Sequence, residues 1–549
     1  MKNQSIRIAC LQVEAMPYQK NLENKEKILR LIKQASESQA KLIVLPESVF
    51  PCYFLSPDII DSHTELSALT TQFLAEIKIC AKKYQVFIAI GLPEYNKEKN
   101  ALYNSAYLID DNGKIIGMTR KSFLWHFDNI WFQSGGKYPV FDTKIGKIGI
   151  FICADGRVPE IVRCLALQGA EILLDLTNLV TNGLEKESWS NPQIDYMLPT
   201  RALENKVWIV AANKVGIEEK SIQYCGKSSF FSPEGEIVTM ASTDREEILT
   251  KDINLTQSHN KEIASLVNIF KDRRPELYRT LTSPTSELPI TNNQDKVINH
   301  FKQFPFASII QTENTADIEI YSQKLEYFFQ TLQKQAVNIF CFSENSSLAN
   351  NQNTIVLNML KNLTKNKPAL CSIVLNEDEG INQYKTIFLI QSGEIIGKYR
   401  KTHLELQEKD KINPGKDDFA VYNTHFGTIG MMLDYEGYFP EIARILTLKG
   451  AQMIIWPSQF SGNEQLRISQ TRSAENKIFI VCPNSIDGNF NGHSLISNPN
   501  GQIIAGCLEN LEMASMSKIS INLAKDKMIV PFTHAILNRQ PASYQLLTS

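Results

Sequence analysis

The chain repeats itself over a very long period. Gly113–Leu124 reads GKIIGMTRKSFL and Gly393–Leu404 reads GEIIGKYRKTHL, so both carry the frame G-x-I-I-G-x-x-R-K-x-x-L. Pro159-Glu160-Ile161, with Arg163, Leu165, Leu167, Gly169 and Ala170, returns as Pro440-Glu441-Ile442 with Arg444, Leu446, Leu448, Gly450 and Ala451. Glu204-Asn205-Lys206 with Asn213 returns as Glu475-Asn476-Lys477 with Asn484. Arg273-Arg274-Pro275 with Tyr278 is echoed by Arg539-Gln540-Pro541 with Tyr544. Solenoid units are roughly 20–45 residues long, so matches about 270 to 280 residues apart mean two copies of a full-sized domain. The expected division is a first domain over 1–285, a linker over 286–300 and a second domain over 301–549. TSPTSELPITNNQD, Thr282 to Asp295, supplies the turn-rich stretch between them.

Within a copy, short apolar runs alternate with helical spacing. Lys41–Leu45, Val86–Ile90, Ile148–Ile152, Glu171–Leu174 and Val207–Ala211 are bounded by polar or turn residues, as buried strands are. Asn24–Ala40 and Pro159–Gln168 have helical periodicity, with Pro159 at a helix start where its missing N–H costs nothing. This alternation predicts a layered α/β fold.

Composition removes several function classes. Lys and Arg number 57 against 59 Asp and Glu, which gives no electrostatic footprint for nucleic acid. No apolar run is long enough to span a bilayer, and Met1–Val13 lacks the pattern of a secretory leader, so no membrane partner and a cytoplasmic location are expected. The 10 cysteines contain no C-x-x-C pair and the 8 histidines no H-x-x-x-H spacing, so neither a disulfide framework nor a metal site is expected.

Three residues could carry chemistry. Glu47 follows the apolar run KLIVLP and so falls at a strand's carboxyl end, where open α/β folds build sites. Lys121 follows Arg120 after the hairpin-like Asp110–Gly117. Cys153 ends the run KIGIFIC ahead of the Pro159 helix, a junction whose N–H groups favour thiolate. Taken singly, each also reads as an ordinary residue: a solvated loop carboxylate, a surface lysine, a packed cysteine.

Together and in order they form a pattern: L-P-E, then R-K, then G-I-F-I-C-A-D-G-x-x-P-E, then A-x-E-N, then G-x-S-x-x-x-x-P-x-G. That pattern resembles the nitrilase superfamily of carbon–nitrogen hydrolases, and it does so twice along the chain. The resemblance implies an α-β-β-α sandwich, present in tandem, and a Glu-Lys-Cys triad with no cofactor. Carried to matching positions, Glu47 is the general base, Cys153 the nucleophile that forms an acyl-enzyme, and Lys121 with the backbone N–H of Ala154 the oxyanion stabiliser. Relatives have a second glutamate seven residues after the lysine; here that place holds Asp128, one methylene shorter, within possible reach of Lys121 or a substrate nitrogen. Arg157 lies near where carbamoylase-like members bind a substrate carboxylate. Thr177 and Asn178 are expected to line the pocket, with Trp125, His126 and Trp131 near its mouth.

The second copy departs from the pattern. Glu344, Lys401 and Glu408 match the base, the lysine and the second glutamate, but GMMLDYEGYFPE puts Asp434 where Cys153 stands. Aspartate is a poor nucleophile toward an amide. Three carboxylates around one lysine are expected to raise a carboxyl pKa and leave the second site silent. The resemblance further implies that the two domains pair within one chain through the Pro159–Ala170 and Pro440–Ala451 helices, with further homo-oligomerisation open. The leading reading is a thiol amidohydrolase acting on linear amides or N-carbamoyl compounds. A non-catalytic scaffold, a true nitrilase and a Cys-His hydrolase are the alternatives.

Overall fold

The computed structural model describes residues 5–56, 63–181, 183–263, 267–292, 304–416 and 418–549. Of the expected linker, 293–300 lies outside the described residues, as do 301–303 of the expected second domain. The chain forms two compact units. The first comprises Met1–Lys261 with Val530–His534 and Asn538–Leu546; the second comprises Glu262–Ile529 with Ala535–Leu537 and Leu547–Ser549.

In the first unit, strands buried along most of their length build two sheets. One runs in the order Lys214–Val215, Ser5–Glu14, Leu42–Val44, Phe87–Asn96, Ala101–Ile109, Ile115–Arg120, with Glu247–Asn254 also antiparallel to Ser5–Glu14. The other runs Ile237–Met240, Ser229–Phe231, Trp208–Ala212, Ile172–Leu176, Gly146–Ile152, Val140–Thr143. Helices Asn21–Glu37 and His63–Tyr84 cover the first sheet, and Pro159–Leu167 and Leu198–Asn205 cover the second. Asn21–Glu37 buries Ile28, Leu31, Ile32 and Ala35, the stripe its periodicity predicts. The Cys10 thiol donates to the Ala211 carbonyl at 3.3 Å, tying one sheet to the other. The layers are α-β-β-α.

The second unit repeats this plan. Its sheets run Glu394–Arg400, Asn382–Gln391, Leu370–Glu379, Val337–Phe342, Phe306–Gln311, Met513–Lys518, and Val421–Thr424, Gly427–Met431, Met453–Ile455, Phe479–Cys482, Leu495–Ser497, Ile503–Gly506. Helices Ile318–Lys334, Asn353–Thr364, Pro440–Leu448 and Glu464–Asn476 complete it.

The G-x-I-I-G frame has a packing cause in each unit. Gly113 and Gly393 take φ of +77° and +87° at the hairpin turn, a region open to glycine. Gly117 and Gly397 face the rings of Phe141 and Tyr422, which a Cβ would strike.

Candidate active site

The first unit's candidate residues sit just past the carboxyl ends of four strands, two in each sheet. Pro46 and Glu47 follow Leu42–Val44, Lys121 follows Ile115–Arg120, Cys153 follows Gly146–Ile152, and Thr177 and Asn178 follow Ile172–Leu176. Cys153 opens a tight turn, Cys153–Arg157, with φ of +50°, which lifts the residue out of the strand path.

Glu47, Lys121 and Asp128 are wholly buried and joined. Lys121 Nζ donates to Glu47 Oε1 at 2.7 Å and pairs with Asp128 Oδ2 at 2.5 Å. The shorter carboxylate of Asp128 therefore reaches the lysine. Asn104 Nδ2 donates to the same Glu47 oxygen at 2.7 Å, and Glu47 Oε2 has no hydrogen-bond partner among the described residues. Asp128 is held in turn by the Tyr53 hydroxyl at 3.1 Å and the Trp125 N–H at 3.0 Å.

Burial pushes the Glu47 carboxyl above its usual range, and the Asp128 charge adds to this against the pull of Lys121. Burial works against the Lys121 ammonium, but Asp128 and Glu47 outweigh it and hold its pKa well above the usual value. Burial and then Glu47 raise the Cys153 thiol, with Lys121 and the Thr177 hydroxyl opposing. The resting site thus holds a thiol, beside a carboxylate made more basic than usual.

Four residues missing from the sequence reading fix this geometry. Asp155, two after the nucleophile position, accepts from the N–H groups of Ser122 (3.0 Å), Phe123 (2.7 Å) and Ile152 (3.1 Å), locking the lysine loop to the cysteine strand. Asp175 accepts from the Cys153 N–H at 2.9 Å, and Gln193 Nε2 donates to the Cys153 carbonyl at 2.8 Å. Arg201 Nε donates to the Gly156 carbonyl at 3.1 Å. Two of these had a signal, because both copies carry an acid two residues past the Cys/Asp position and an arginine three before the shared glutamate.

A cavity of about 280 Å³ opens over Cys153 and is lined by Tyr53, Trp125, Arg157, Asn178, Gln193 and Val530, among others. Both amide atoms of Asn178 are buried without a hydrogen-bond partner among the described residues. His126 lines the cavity as expected, and Ala154 is buried in the cysteine turn. Thr177 lies beside the thiol rather than in the wall. Trp131 is not at the mouth: it packs on Tyr53 and Phe127 at ring separations of 5.7 Å and 5.4 Å.

The second unit keeps the backbone and changes the chemistry. Asp434 has φ of +45°, close to that of Cys153, and Glu436 repeats the role of Asp155 on the N–H groups of Thr402, His403 and Leu433. The expectation of one lysine among three carboxylates needs correction, because a second lysine is present. Lys385 Nζ lies 3.0 Å from Glu344, 3.3 Å from Glu408 and 3.1 Å from Asp434. Lys401 reaches Glu408 at 2.7 Å and Asp434 at 2.8 Å. Lys385 stands where Asn104 stands in the first unit, since the Lys121 N–H donates to the Asn104 carbonyl and the Lys401 N–H to the Lys385 carbonyl. The expected rise in carboxyl pKa falls on Glu344, which burial pushes up to about 7. Asp434 goes the other way: burial opposes its charge, but Lys385 and Lys401 hold it below the usual range.

Space has changed as well. Tyr435, Tyr438 and Trp456 occupy the places of Ala154, Arg157 and Asp175, and all three are buried. Trp456 Nε1 donates to the Asp434 carbonyl at 2.7 Å, and Phe460 packs on Trp456 and Tyr438 at 5.6 Å and 5.5 Å.

The carbon-nitrogen hydrolase family matches residues 7–260 and again 306–526. The chain belongs to that family, with two tandem domains. Among curated relatives, it is 37% identical over 260 residues to a protein named nitrilase from Pyrococcus abyssi, covering 47% of this chain and 93% of the relative. It is 29% identical over 296 residues to an N-carbamoylputrescine amidase of Oryza sativa subsp. japonica, covering 52% and 95%. Among solved structures, an amidase from Nesterenkonia sp. is similar at 23% identity and a TM-score of 0.43, over 51% of this chain and 97% of that one. No helix among the described residues is long and apolar enough to cross a membrane.

Proposed function

We propose that the first domain is a thiol amidohydrolase acting on a small linear amide or N-carbamoyl compound, and that the second is catalytically silent. The observation that carries this is the Glu47 carboxylate. One oxygen is fixed by Lys121 and Asn104, the other has no hydrogen-bond partner among the described residues, and the Glu47 charge acts on the thiol of Cys153, which lines the cavity.

In this mechanism Glu47 takes the Cys153 proton as sulfur bonds to the carbonyl carbon. Lys121 and the Ala154 N–H hold the developing oxyanion. Glu47 passes the proton to the leaving nitrogen as the C–N bond breaks, giving a thioester and ammonia or an amine. Glu47 then draws a proton from water, whose oxygen attacks the thioester and releases acid and free thiol. Asn178 offers both a donor and an acceptor to an amide or ureido group, and Arg157 supplies a cation in the wall for a substrate carboxylate. The relative named N-carbamoylputrescine amidase supports a carbamoyl substrate, and the relative named nitrilase is the reason nitriles belong in the test panel.

Silence of the second domain rests on three features: aspartate in the nucleophile's place, two lysines already neutralised by carboxylates, and aromatic rings where the first domain has Ala154 and Arg157.

Ammonia release from a panel of carbamoyl amino acids, carbamoyl amines, ω-amides and nitriles tests both parts. Loss in Cys153→Ala but not in Asp434→Ala is expected. No release from any compound, with no preferential alkylation of Cys153 by iodoacetamide, would leave a binding scaffold as the reading.

A further inference from the structure

The family match ends at residue 526, yet the first unit includes Val530–His534 and Asn538–Leu546. Within that unit the late segment touches the loop that carries Lys121 at two places. Thr533, fully buried, accepts from the His126 N–H at 2.8 Å and donates to the Leu124 carbonyl at 3.1 Å. One hydroxyl therefore pins both sides of Trp125. Farther along, Gln540 Nε2 donates to Ser134 Oγ at 3.1 Å and Ser543 Oγ to the Gly136 carbonyl at 2.6 Å. Ser134 Oγ and the Gly136 N–H in turn bond Ser122, next to Lys121, at 2.7 Å and 2.8 Å.

Trp125 stands between these contacts and the chemistry. Its N–H bonds Asp128 Oδ2 at 3.0 Å, the same oxygen that pairs with Lys121. Its ring lines the cavity with the Arg157 guanidinium 5.2 Å from the ring centroid, and Val530 lines the same cavity.

We infer that Val530–His534 and Asn538–Ser543 form a clamp on the lysine loop and that Thr533 is a positioning residue for the candidate reaction, acting through Trp125. The segment beyond the second family match is then a working part of the first domain's site. A threonine hydroxyl suits the role because it accepts and donates at once, so it serves the His126 N–H and, beside the Asn129 amide at 3.2 Å, the Leu124 carbonyl two residues away. The kinetic part of the inference rests on the hydrolase reading above; the structural part does not.

The test uses the full chain with Thr533→Val and Thr533→Ser, read by hydrogen–deuterium exchange and by steady-state kinetics. The valine variant should exchange about 10-fold faster in peptides covering Ser122–Trp131, with Glu47 and Asp175 peptides unchanged. It should raise KM by about 10-fold with a smaller effect on kcat, as expected when a cavity wall loosens. Serine keeps the hydroxyl and should restore both readings, which separates loss of the clamp from general unfolding. Wild-type exchange and KM in the valine variant would overturn the inference. So would a serine variant as impaired as valine, or faster exchange with KM unmoved. If the wild-type chain turns over no compound, the hydrolase reading fails, while the exchange comparison still decides whether the clamp exists.

Discussion

In the proposed reaction Glu47 concentrates the chemistry of the first domain in one side chain. Its carboxyl is pushed above the usual range chiefly by burial, and it must be ionised to accept the thiol proton. Activity is therefore lost as pH falls through that raised pKa, so the acid limb of kcat/KM should lie above the ordinary glutamate range. No alkaline loss should come from Lys121 within its usual range, because its carboxylate partners hold it charged. A kcat/KM profile from pH 4 to 9 checks this, and a limb at the value of a free glutamate would contradict it. The residues that set this environment were unevenly legible. Glu47 and Cys153 each close an apolar run, and Lys121 follows Arg120 in the repeated hairpin frame, all of which the sequence displays. Asn104 and Asp175 lie inside strands whose pattern reads simply as buried, and only the folded sheet aims them at the glutamate and the cysteine N–H.

At the scale of elements, sequence periodicity placed strands and helices within a few residues, because burial on a sheet or helix face imposes a period the chain must obey. Pro159 starts its helix and the Asp110–Gly117 hairpin forms as expected. What periodicity omits is close approach between sheets. Gly117 and Gly397 are needed because an aromatic ring from the second sheet lies against each. Gly117→Ala should cost about 1–3 kcal/mol through overpacking. Pairing it with Phe141→Ala should recover part of that loss, since the substitutions share one contact. Thermal unfolding of the two singles and the double is the measurement, and additive losses would show that the ring is not the cause.

Across the whole molecule, two copies of one architecture have diverged through compensating changes. Cys153 and Asn104 in the first unit correspond to Asp434 and Lys385 in the second, so an added carboxylate is matched by an added ammonium. Each cluster then carries one more carboxylate than ammonium when all its groups are ionised. Removing Lys385 leaves three carboxylates on one ammonium and strands buried charge at a cost of about 3–5 kcal/mol, whereas removing Asp434 leaves two carboxylates on two ammoniums and costs less. Asp434→Asn and Lys385→Asn should each lower the unfolding midpoint, and the double variant should lose less than their sum. Reversion should not restore chemistry: in a Cys153→Ala background, Asp434→Cys with Lys385→Asn should release no ammonia, because Tyr435, Tyr438 and Trp456 still fill the site. Ammonia release from that triple variant would show that charge alone silenced the second domain.

The sequence by itself determined the duplication, the layered α/β class, the family and the order of the candidate triad. Each is written in local spacing or in ordered motifs that survive without coordinates. The equivalence of Lys385 with Asn104 leaves a trace in the sequence, since Tyr103 and Tyr384 each precede the residue in question and each stands five residues before a Leu-Ile pair. Only the tertiary structure decided that Lys385 meets Asp434, that Asp128 reaches Lys121, and that Thr533 belongs beside Trp125. Those contacts join residues distant along the chain, and what brings them together is the packing of whole sheets and segments, which no local pattern encodes.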